Sequence, residues 1–282
     1  MKKHASTILI LTMLIVGLSV LLYPSISTYI NSKNASHVVA HYQEAVDNAS
    51  VEELEDLLSV AEGYNQRLSA KPDAFYNPKL IDGYSDALDI TGTGVMGKIS
   101  INKIKVELPI YHGTDPTVLQ IGVGHIEGSS LPIGGEGTHC VLSGHRGLPS
   151  ARLFTDLDQL EIGDTFTISV LGQELIYQID QVKIVLPTET EDLKLAKDQD
   201  YCTLVTCTPY GINTHRLLVR GKRVETPEVK PGIRVKNEAF KIDPLIVTPI
   251  AAIPLLLILL TGVFLGGNKS KGKRRQRNHT KE

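Results

Sequence analysis

Two long stretches of the chain are apolar and carry no charged residue. The first runs from Ile8 to Tyr23 and the second from Pro244 to Gly267. A helix of about 20 apolar residues crosses the roughly 30 Å hydrocarbon core of a bilayer, so both stretches are predicted to span a membrane. Because the first is short, a cleaved signal peptide is the alternative there. In the second, Pro249 and Pro254 are compatible with a span, since membrane helices tolerate proline.

After the first apolar stretch the pattern becomes that of amphipathic helices. Apolar residues recur at three- and four-residue spacing in two sets, one from Val39 to Val46 and one from Leu54 to Leu68. Ser50 and Glu53 have the S-x-x-E spacing of a capping box, which predicts that a second helix begins there. We therefore expect a lead-in of two helices over residues 31–69.

Residues 70–94 lose this periodicity. The segment contains two prolines and several glycines, which is typical of a loop. A loop of this length in a compact unit is uncommon unless it is disordered or functional, for instance as a lid. A surface linker that joins the helices to the next domain is the alternative interpretation.

From Val95 onward the apolar pattern is that of short strands rich in Val, Ile, Thr and Tyr and separated by Gly, Pro or Asp. Many short strands with little helix between them favour a mainly β fold, either a closed barrel or a sandwich. The predicted strands are VMGKISI (95–101), VELPIY (106–111), THCVLSGH (138–145), DTFTISV (164–170), QELIYQIDQVKIV (173–185), CTLVTCT (202–208) and HRLLVRGKRV (215–224).

Charge is nearly balanced over the 282 residues, with a formal net charge of −2, so a nucleic-acid partner is not predicted. The basic residues are unevenly placed, however. Lys2 and Lys3 precede the first apolar stretch, and a basic cluster follows the second: Lys269, Lys271, Lys273, Arg274, Arg275 and Arg277. By the positive-inside rule, both termini are predicted to be cytoplasmic and the region between the spans to be exported.

The three cysteines are too few for a disulfide framework, and their odd number predicts at least one free thiol. Within YCTLVTC, strand alternation places Thr203, Val205 and Cys207 on one face and Cys202 on the other. Cys202 and Cys207 are also about 16 Å apart along an extended strand, beyond the roughly 7 Å that a disulfide permits. A disulfide between Cys140 and Cys202 requires their strands to be neighbours in matching register.

Alternation in THCVLSGH separates His145 from Cys140 in the same way. If this strand neighbours the one that contains Cys207, then His145 and Cys207 share a face. A cysteine beside a histidine is the minimum for an activated thiolate. The alternatives are that both are packed core residues, or that Cys140, His145, Cys202 and Cys207 bind zinc, although alternation divides these four between two faces.

The segment after Cys207 is predicted to form a hairpin. YGIN is typical of a turn, and the returning strand brings Arg216 alongside Cys207. A guanidinium at that position can stabilise an oxyanion or hold a substrate carbonyl. An ordinary surface arginine at a strand edge is the alternative.

These motifs carry a resemblance to a known family. TLVTC with Arg216 nine residues downstream, together with SGHRGLPSARLFTDLDQLEIGD, resembles the sortase family of Gram-positive transpeptidases. The longer segment HIEGSSLPIGGEGTHCVLSGHRGLPSARLF resembles class C, the pilin-polymerising sortases. The resemblance covers most of residues 36–265. It implies an eight-stranded β-barrel, preceded by two helices and flanked by two transmembrane helices.

The resemblance also implies roles for individual residues. Cys207 is expected to attack the Thr–Gly carbonyl of an LPxTG-like sorting signal and form a thioester. His145 is expected to protonate the leaving amine and then to accept a proton from the incoming one, while Arg216 stabilises the oxyanion. The expected acceptor is a lysine amine of another pilin. No metal or organic cofactor is expected.

Class C sortases often have a lid with an Asp-Pro-aromatic motif over the active site. The corresponding residues here are Asp73, Ala74 and Phe75, with alanine in place of the motif's proline. By this resemblance, Asp73 is expected to approach Arg216, and Phe75 is expected to cover Cys207.

Together these observations predict a membrane-anchored enzyme that acts on pilins and surface proteins with C-terminal sorting signals. Two alternatives remain: a housekeeping sortase that joins surface proteins to a cell-wall precursor, and a non-catalytic, membrane-anchored binding barrel. The predicted segments are a first span or signal-anchor (1–30), a helical lead-in (31–69), a lid or linker (70–94), a catalytic barrel (95–241), a second span (242–268) and a basic cytoplasmic tail (269–282).

Overall fold

The structure, a computed structural model, describes residues 2–224 and the side chains of all of these except residues 2–11 and 72. The predicted second span, the basic tail and residues 225–241 of the predicted barrel domain lie outside the described residues.

The N-terminal helix α1 extends without interruption over Lys2–Asn48. The predicted first span and the first lead-in helix are therefore two parts of one helix. Within it, Thr12–Asn48 contains an 18-residue window with a mean hydropathy of 1.7, which is long enough and apolar enough to cross a membrane. Across residues 2–224, no other helix has both properties.

The C-terminal part of α1 packs on the strands through Tyr42. The Tyr42 hydroxyl donates a hydrogen bond to the carbonyl oxygen of Met96 at 3.0 Å and accepts one from the backbone N–H of Leu171 at 2.9 Å. The ring is almost completely buried. This tyrosine therefore fixes the helix to the strand that contains Met96 and to the turn at Leu171.

The second helix, α2, covers Val51–Ser69 and begins where the sequence predicts. The Ser50 hydroxyl accepts a hydrogen bond from the backbone N–H of Glu53 at 3.1 Å. Toward its C-terminal end the helix is held by Asn65, whose amide accepts from Leu131 N at 2.7 Å and donates to Leu131 O at 3.3 Å. These bonds attach α2 to the loop that leads into the barrel's fourth strand.

Eight strands follow, and a short helix α3, Pro116–Ile121, connects the second strand to the third. Their order around the sheet is β1-β2-β3-β4-β7-β8-β6-β5, and the sheet closes into a barrel. The predicted mainly β, closed eight-stranded barrel with N-terminal helices is thus confirmed. The strands are β1 Val95–Ile101, β2 Val106–His112, β3 Val123–His125, β4 Thr138–Ser143, β5 Thr165–Val170, β6 Gln173–Val185, β7 Asp200–Thr208 and β8 His215–Arg223.

Strand β7 lies between β4 and β8. It pairs in parallel with β4, with Cys140 opposite Cys202 and Ser143 opposite Val205. It pairs antiparallel with β8, with Cys207 opposite Arg216. The neighbouring strands on which the sequence argument depended are therefore present.

The two faces of these central strands have different neighbours. Cys140, Cys202 and Leu204 belong to the main hydrophobic core inside the barrel. Val141 and Val205, which alternate with them, belong to a separate apolar cluster on the opposite, outer face.

Candidate active site

Cys207 is the penultimate residue of β7, half-buried, and directly opposite Arg216 of β8. The Arg216 guanidinium is held at the hairpin end of the strand pair. Its Nη1 donates to the carbonyl oxygens of Asn213 at 3.2 Å and His215 at 3.1 Å. The hairpin thus fixes a positive charge on the strand that neighbours the thiol.

His145 lies two residues beyond the end of β4, and the parallel pairing of β4 with β7 continues toward it. Gly144 N donates to Val205 O at 3.0 Å, and Thr206 Oγ1 donates to Gly144 O at 2.8 Å. Each β4 residue faces the β7 residue 62 positions later. The same register, continued past the strand end, brings His145 level with Cys207. The Cys207 thiol thus has the chain segment of His145 on the β4 side and Arg216 on the β8 side.

Arg146 follows His145 and connects the segment after β4 to the end of β7 through its side chain. Its Nη2 forms an ion pair with Asp158, and its Nη1 donates to Thr208 Oγ1, the residue after Cys207, at 3.4 Å. The guanidinium carbon lies 6.0 Å from the ring centroid of Tyr210. The sequence analysis did not identify this residue, and its only sequence signal is its position beside His145 in SGHRG.

The path of the chain into His145 is set by a close contact between Gly144 and Phe154. Phe154 is fully buried, and its backbone N–H donates to His145 O at 3.1 Å. A Cβ added at Gly144 would lie 2.6 Å from Phe154 Cδ2. A residue without a side chain is therefore required immediately before His145.

Within the predicted lid or linker segment (70–94), residues 72–75 form a short 3₁₀ turn against the barrel. Phe75 packs on the outer-face cluster that contains Val205 and Leu218. Val205 lies two residues before Cys207 in β7, and Leu218 lies two residues after Arg216 in β8. Asp73 is exposed, and within the described part of the chain no ion pair joins it to Arg216. The turn therefore places Phe75 on the cluster that contains Val205, two residues before Cys207.

This turn fits closely against the barrel at Gly128, which has a φ of +89°. A Cβ there would lie 2.7 Å from Ala74 O and 3.0 Å from Phe75 Cα. Ala74 is fully buried in this contact. The backbone of the turn thus occupies the space that a side chain at position 128 would take.

A cavity of about 420 Å³ lies beside Phe75, at the end of β4 away from His145. It is lined by the turn, by the loop between β6 and β7, and by His139. His139 Nδ1 donates to Lys194 O at 2.8 Å, and Nε2 accepts from Thr203 Oγ1 at 2.7 Å. His139 therefore holds the loop against the strands.

The two histidines on this face both favour the neutral state. Burial lowers the pKa of His139 to about 4, and partial burial lowers the pKa of His145 as well. A neutral imidazole at His145 is a base that becomes an acid once it has taken up a proton.

A zinc site built from the four residues considered above does not fit this geometry. Cys140 and Cys202 lie inside the barrel, whereas Cys207 lies on the outer face with the segment of His145. Among residues 2–224, no group of three or more His, Cys, Asp or Glu side chains is placed to hold a metal ion.

Comparison with known proteins places this geometry in a family context. The family model of the sortase domain matches residues 99–224 of this chain. The chain is 37% identical to sortase D of Bacillus subtilis over 131 residues, which cover 45% of this chain and 63% of that protein. The match thus spans less than two thirds of this curated relative.

Solved structures match over a longer part of the chain. Sortase C1 of Streptococcus agalactiae is 46% identical, with a TM-score of 0.62, and the match covers 68% of this chain and 100% of that one. Sortase C of Clostridium perfringens, solved with the C-terminal cell wall sorting motif, is 42% identical with a TM-score of 0.58; the match covers 68% and 100% of the two chains.

We expect Gly144→Ala to destabilise the protein, because the new methyl group overlaps the buried Phe154 ring. Overpacking of this kind costs about 1–3 kcal/mol. Denaturant unfolding of the full chain in detergent measures the change. Gly63→Ala in α2 is the matched control: its Cβ meets only the mobile end of Arg67, so an unchanged or slightly higher stability is expected. Equal effects of the two substitutions would contradict the close contact.

We expect the free energy of unfolding to fall in acid because His139 is buried in its neutral form. The folded state keeps this imidazole neutral down to a pKa of about 4, against an ordinary value of 6.5. As the pH falls through this window, the unfolded chain therefore binds a proton that the native state does not. The free energy of unfolding should fall by up to about 3 kcal/mol from this residue, with no further loss below the window.

The His139→Gln variant tests this prediction, since glutamine can donate and accept hydrogen bonds but does not titrate. Its free energy of unfolding should fall less than that of the wild type between pH 7 and pH 4. His37→Gln, on the exposed surface of α1, should follow the wild type. A His139→Gln profile parallel to the wild-type profile would refute the assignment.

Proposed function

Because the chain belongs to the sortase family, we propose that it is a class C cysteine transpeptidase, which cleaves an LPxTG-like sorting signal between Thr and Gly and joins pilin subunits by a lysine isopeptide bond. The observation that carries this proposal is the half-buried Cys207, flanked along the sheet by the segment of His145 and by Arg216. A thiol, a titratable imidazole and a fixed guanidinium are the groups that acyl transfer through a thioester requires.

In the first half-reaction, neutral His145 takes the proton of the Cys207 thiol, and the resulting thiolate attacks the carbonyl carbon of the threonine. The negative charge that develops on the carbonyl oxygen is stabilised by Arg216, which the hairpin carbonyls already hold in position. Protonated His145 gives its proton to the glycine amine as the C–N bond breaks. The products are a thioester on Cys207 and a free C-terminal fragment.

In the second half-reaction, a neutral lysine amine of another pilin attacks the thioester. His145, now neutral, takes the proton from this amine, and Cys207 leaves as a thiolate. The lowered pKa of His145 favours this basic role. Two acyl transfers of moderate barrier thus replace one direct exchange between amide bonds.

We assign residues 72–75 as a lid. Phe75 covers the outer-face cluster beside Val205, on the strand face where a peptide extended from Cys207 would lie. A sorting signal must displace this ring to bind. Asp73 is proposed as part of the same lid, with a role that does not require an ion pair to Arg216.

The proposed setting is the outer side of the cell membrane. The apolar part of α1 serves as an anchor, while the second span at 242–268 and the cytoplasmic position of both termini are proposals from the charge pattern of the sequence. The proposed partners are pilins and other surface proteins with C-terminal sorting signals. The substrate class is supported by the C. perfringens relative, which was solved with a cell wall sorting motif.

The Cys207→Ala variant tests the proposed chemistry. It should form no thioester and no isopeptide product with a sorting-signal peptide and a lysine-containing pilin, as measured by mass spectrometry. The unfolding midpoint should stay close to that of the wild type, because Cys207 lies outside the main core. Covalent products in the Cys207→Ala background would disprove the role of this thiol. A wild-type protein that binds the peptide without forming any product would favour the non-catalytic binding barrel.

The lid assignment predicts that Phe75→Ala exposes Cys207. Loss of the ring's apolar contacts should cost the closed state about 1.5 kcal/mol, which raises the open population roughly tenfold. The rate of Cys207 alkylation by a thiol reagent measures this change. Ile162→Ala is the control, since this exposed side chain lies just before β5, which pairs with β1 and β6 and not with β7 or β8, so its alkylation rate should stay near the wild-type rate. Equal rates for Phe75→Ala and the wild type would exclude a covering role for Phe75.

A further inference from the structure

Two cysteines that the proposed reaction does not use face each other inside the barrel. Cys140 of β4 and Cys202 of β7 are register partners on adjacent parallel strands. Both belong to the main core, with exposed fractions of 3% and 0%. Neighbouring strands lie about 4.8 Å apart, which is within the roughly 4.4–6.8 Å between Cα atoms that a disulfide spans.

Both thiols are free in this structure. Burial raises the pKa of each thiol, but the neighbouring Cys202 and His125 side chains lower the pKa of Cys140 overall, whereas the pKa of Cys202 stays raised. His125 is itself held by the Tyr84 hydroxyl at 2.9 Å and by Ser130 O at 2.8 Å.

We propose that Cys140 and Cys202 form a disulfide that cross-links β4 to β7 inside the barrel. In this reaction the two thiols lose two protons and two electrons, and one S–S bond forms. The acceptor is an external disulfide, either of a thiol–disulfide oxidoreductase or of a small-molecule thiol, which is reduced to two thiols. The proposal relies on the export proposed above, because disulfides persist in oxidising compartments and are rare in the cytosol.

Cys207 is excluded from this pairing by the fold. It lies on the opposite face of β7 from Cys202, about 16 Å further along the strand. The reactive thiol therefore stays free when the inner pair is oxidised. The cross-link joins β4 and β7 at Cys140 and Cys202, which lie five residues before His145 and Cys207, respectively. It therefore fixes the strand register that places His145 beside Cys207.

The first test counts thiols. The full chain is reduced, unfolded, and refolded in detergent with a glutathione redox buffer, so that burial of the thiols does not limit their oxidation. After acid quenching and denaturing alkylation, mass spectrometry should find one alkylated cysteine, Cys207, and a cross-linked peptide that contains Cys140 and Cys202. Three alkylated cysteines after refolding in excess oxidised glutathione would overturn the proposal.

The second test measures stability against heat. A disulfide that closes a loop of this length should raise the unfolding temperature by about 10 °C, a gain that a reductant removes. The reductant should shift the wild type and Cys207→Ala alike, but it should leave the double variant Cys140→Ala/Cys202→Ala unshifted. The Cys207→Ala variant separates the two proposals, since it has no transferase activity and should keep the shift. An equal shift in the double variant, or none in Cys207→Ala, would overturn the cross-link.

Discussion

The parallel pairing of β4 with β7 is the constraint on which the rest of the site depends. It sets the end of β4 beside the end of β7, and the antiparallel β8 then brings Arg216 to the other side. A slip of one residue would move every side chain of a strand to the opposite face. The buried residues of both strands oppose such a slip, since Cys140, Leu142, Cys202 and Leu204 would leave the core.

Side chains of β4 and β7 point alternately into and out of the barrel, so the two strands contribute both to the core and to the site. Inward residues fill the barrel and maintain the spacing of the strands. Outward residues provide the thiol and an apolar cluster that Phe75 covers. His145 is itself partly buried, which is the reason that its imidazole loses its proton more readily than in water. Reactivity and stability are thus assigned to opposite faces of the same chain segments.

The sequence was sufficient for the elements that depend on local patterns. Seven of the eight strands follow runs of β-branched residues, and Ser50 marks the start of α2. Strand β3 was missed because Val123–His125 is only three residues long and contains a glycine. The role of Arg146 was also missed, because its partners Asp158 and Thr208 are 12 and 62 residues away in the chain. The strand order likewise depends on such distant contacts, which no periodicity reveals.

The close contact at Gly128 has a consequence for how this protein can change. The backbone of Ala74 and Phe75 rests on a position that has no side chain, so the barrel, as well as the proposed lid itself, sets how closely the two can pack. Gly128 is remote from the thiol in the chain and takes no part in the proposed chemistry. Under the proposed lid assignment, variation at this one position would change access to the outer face without altering Cys207, His145 or Arg216, so closure and catalysis would be separable traits.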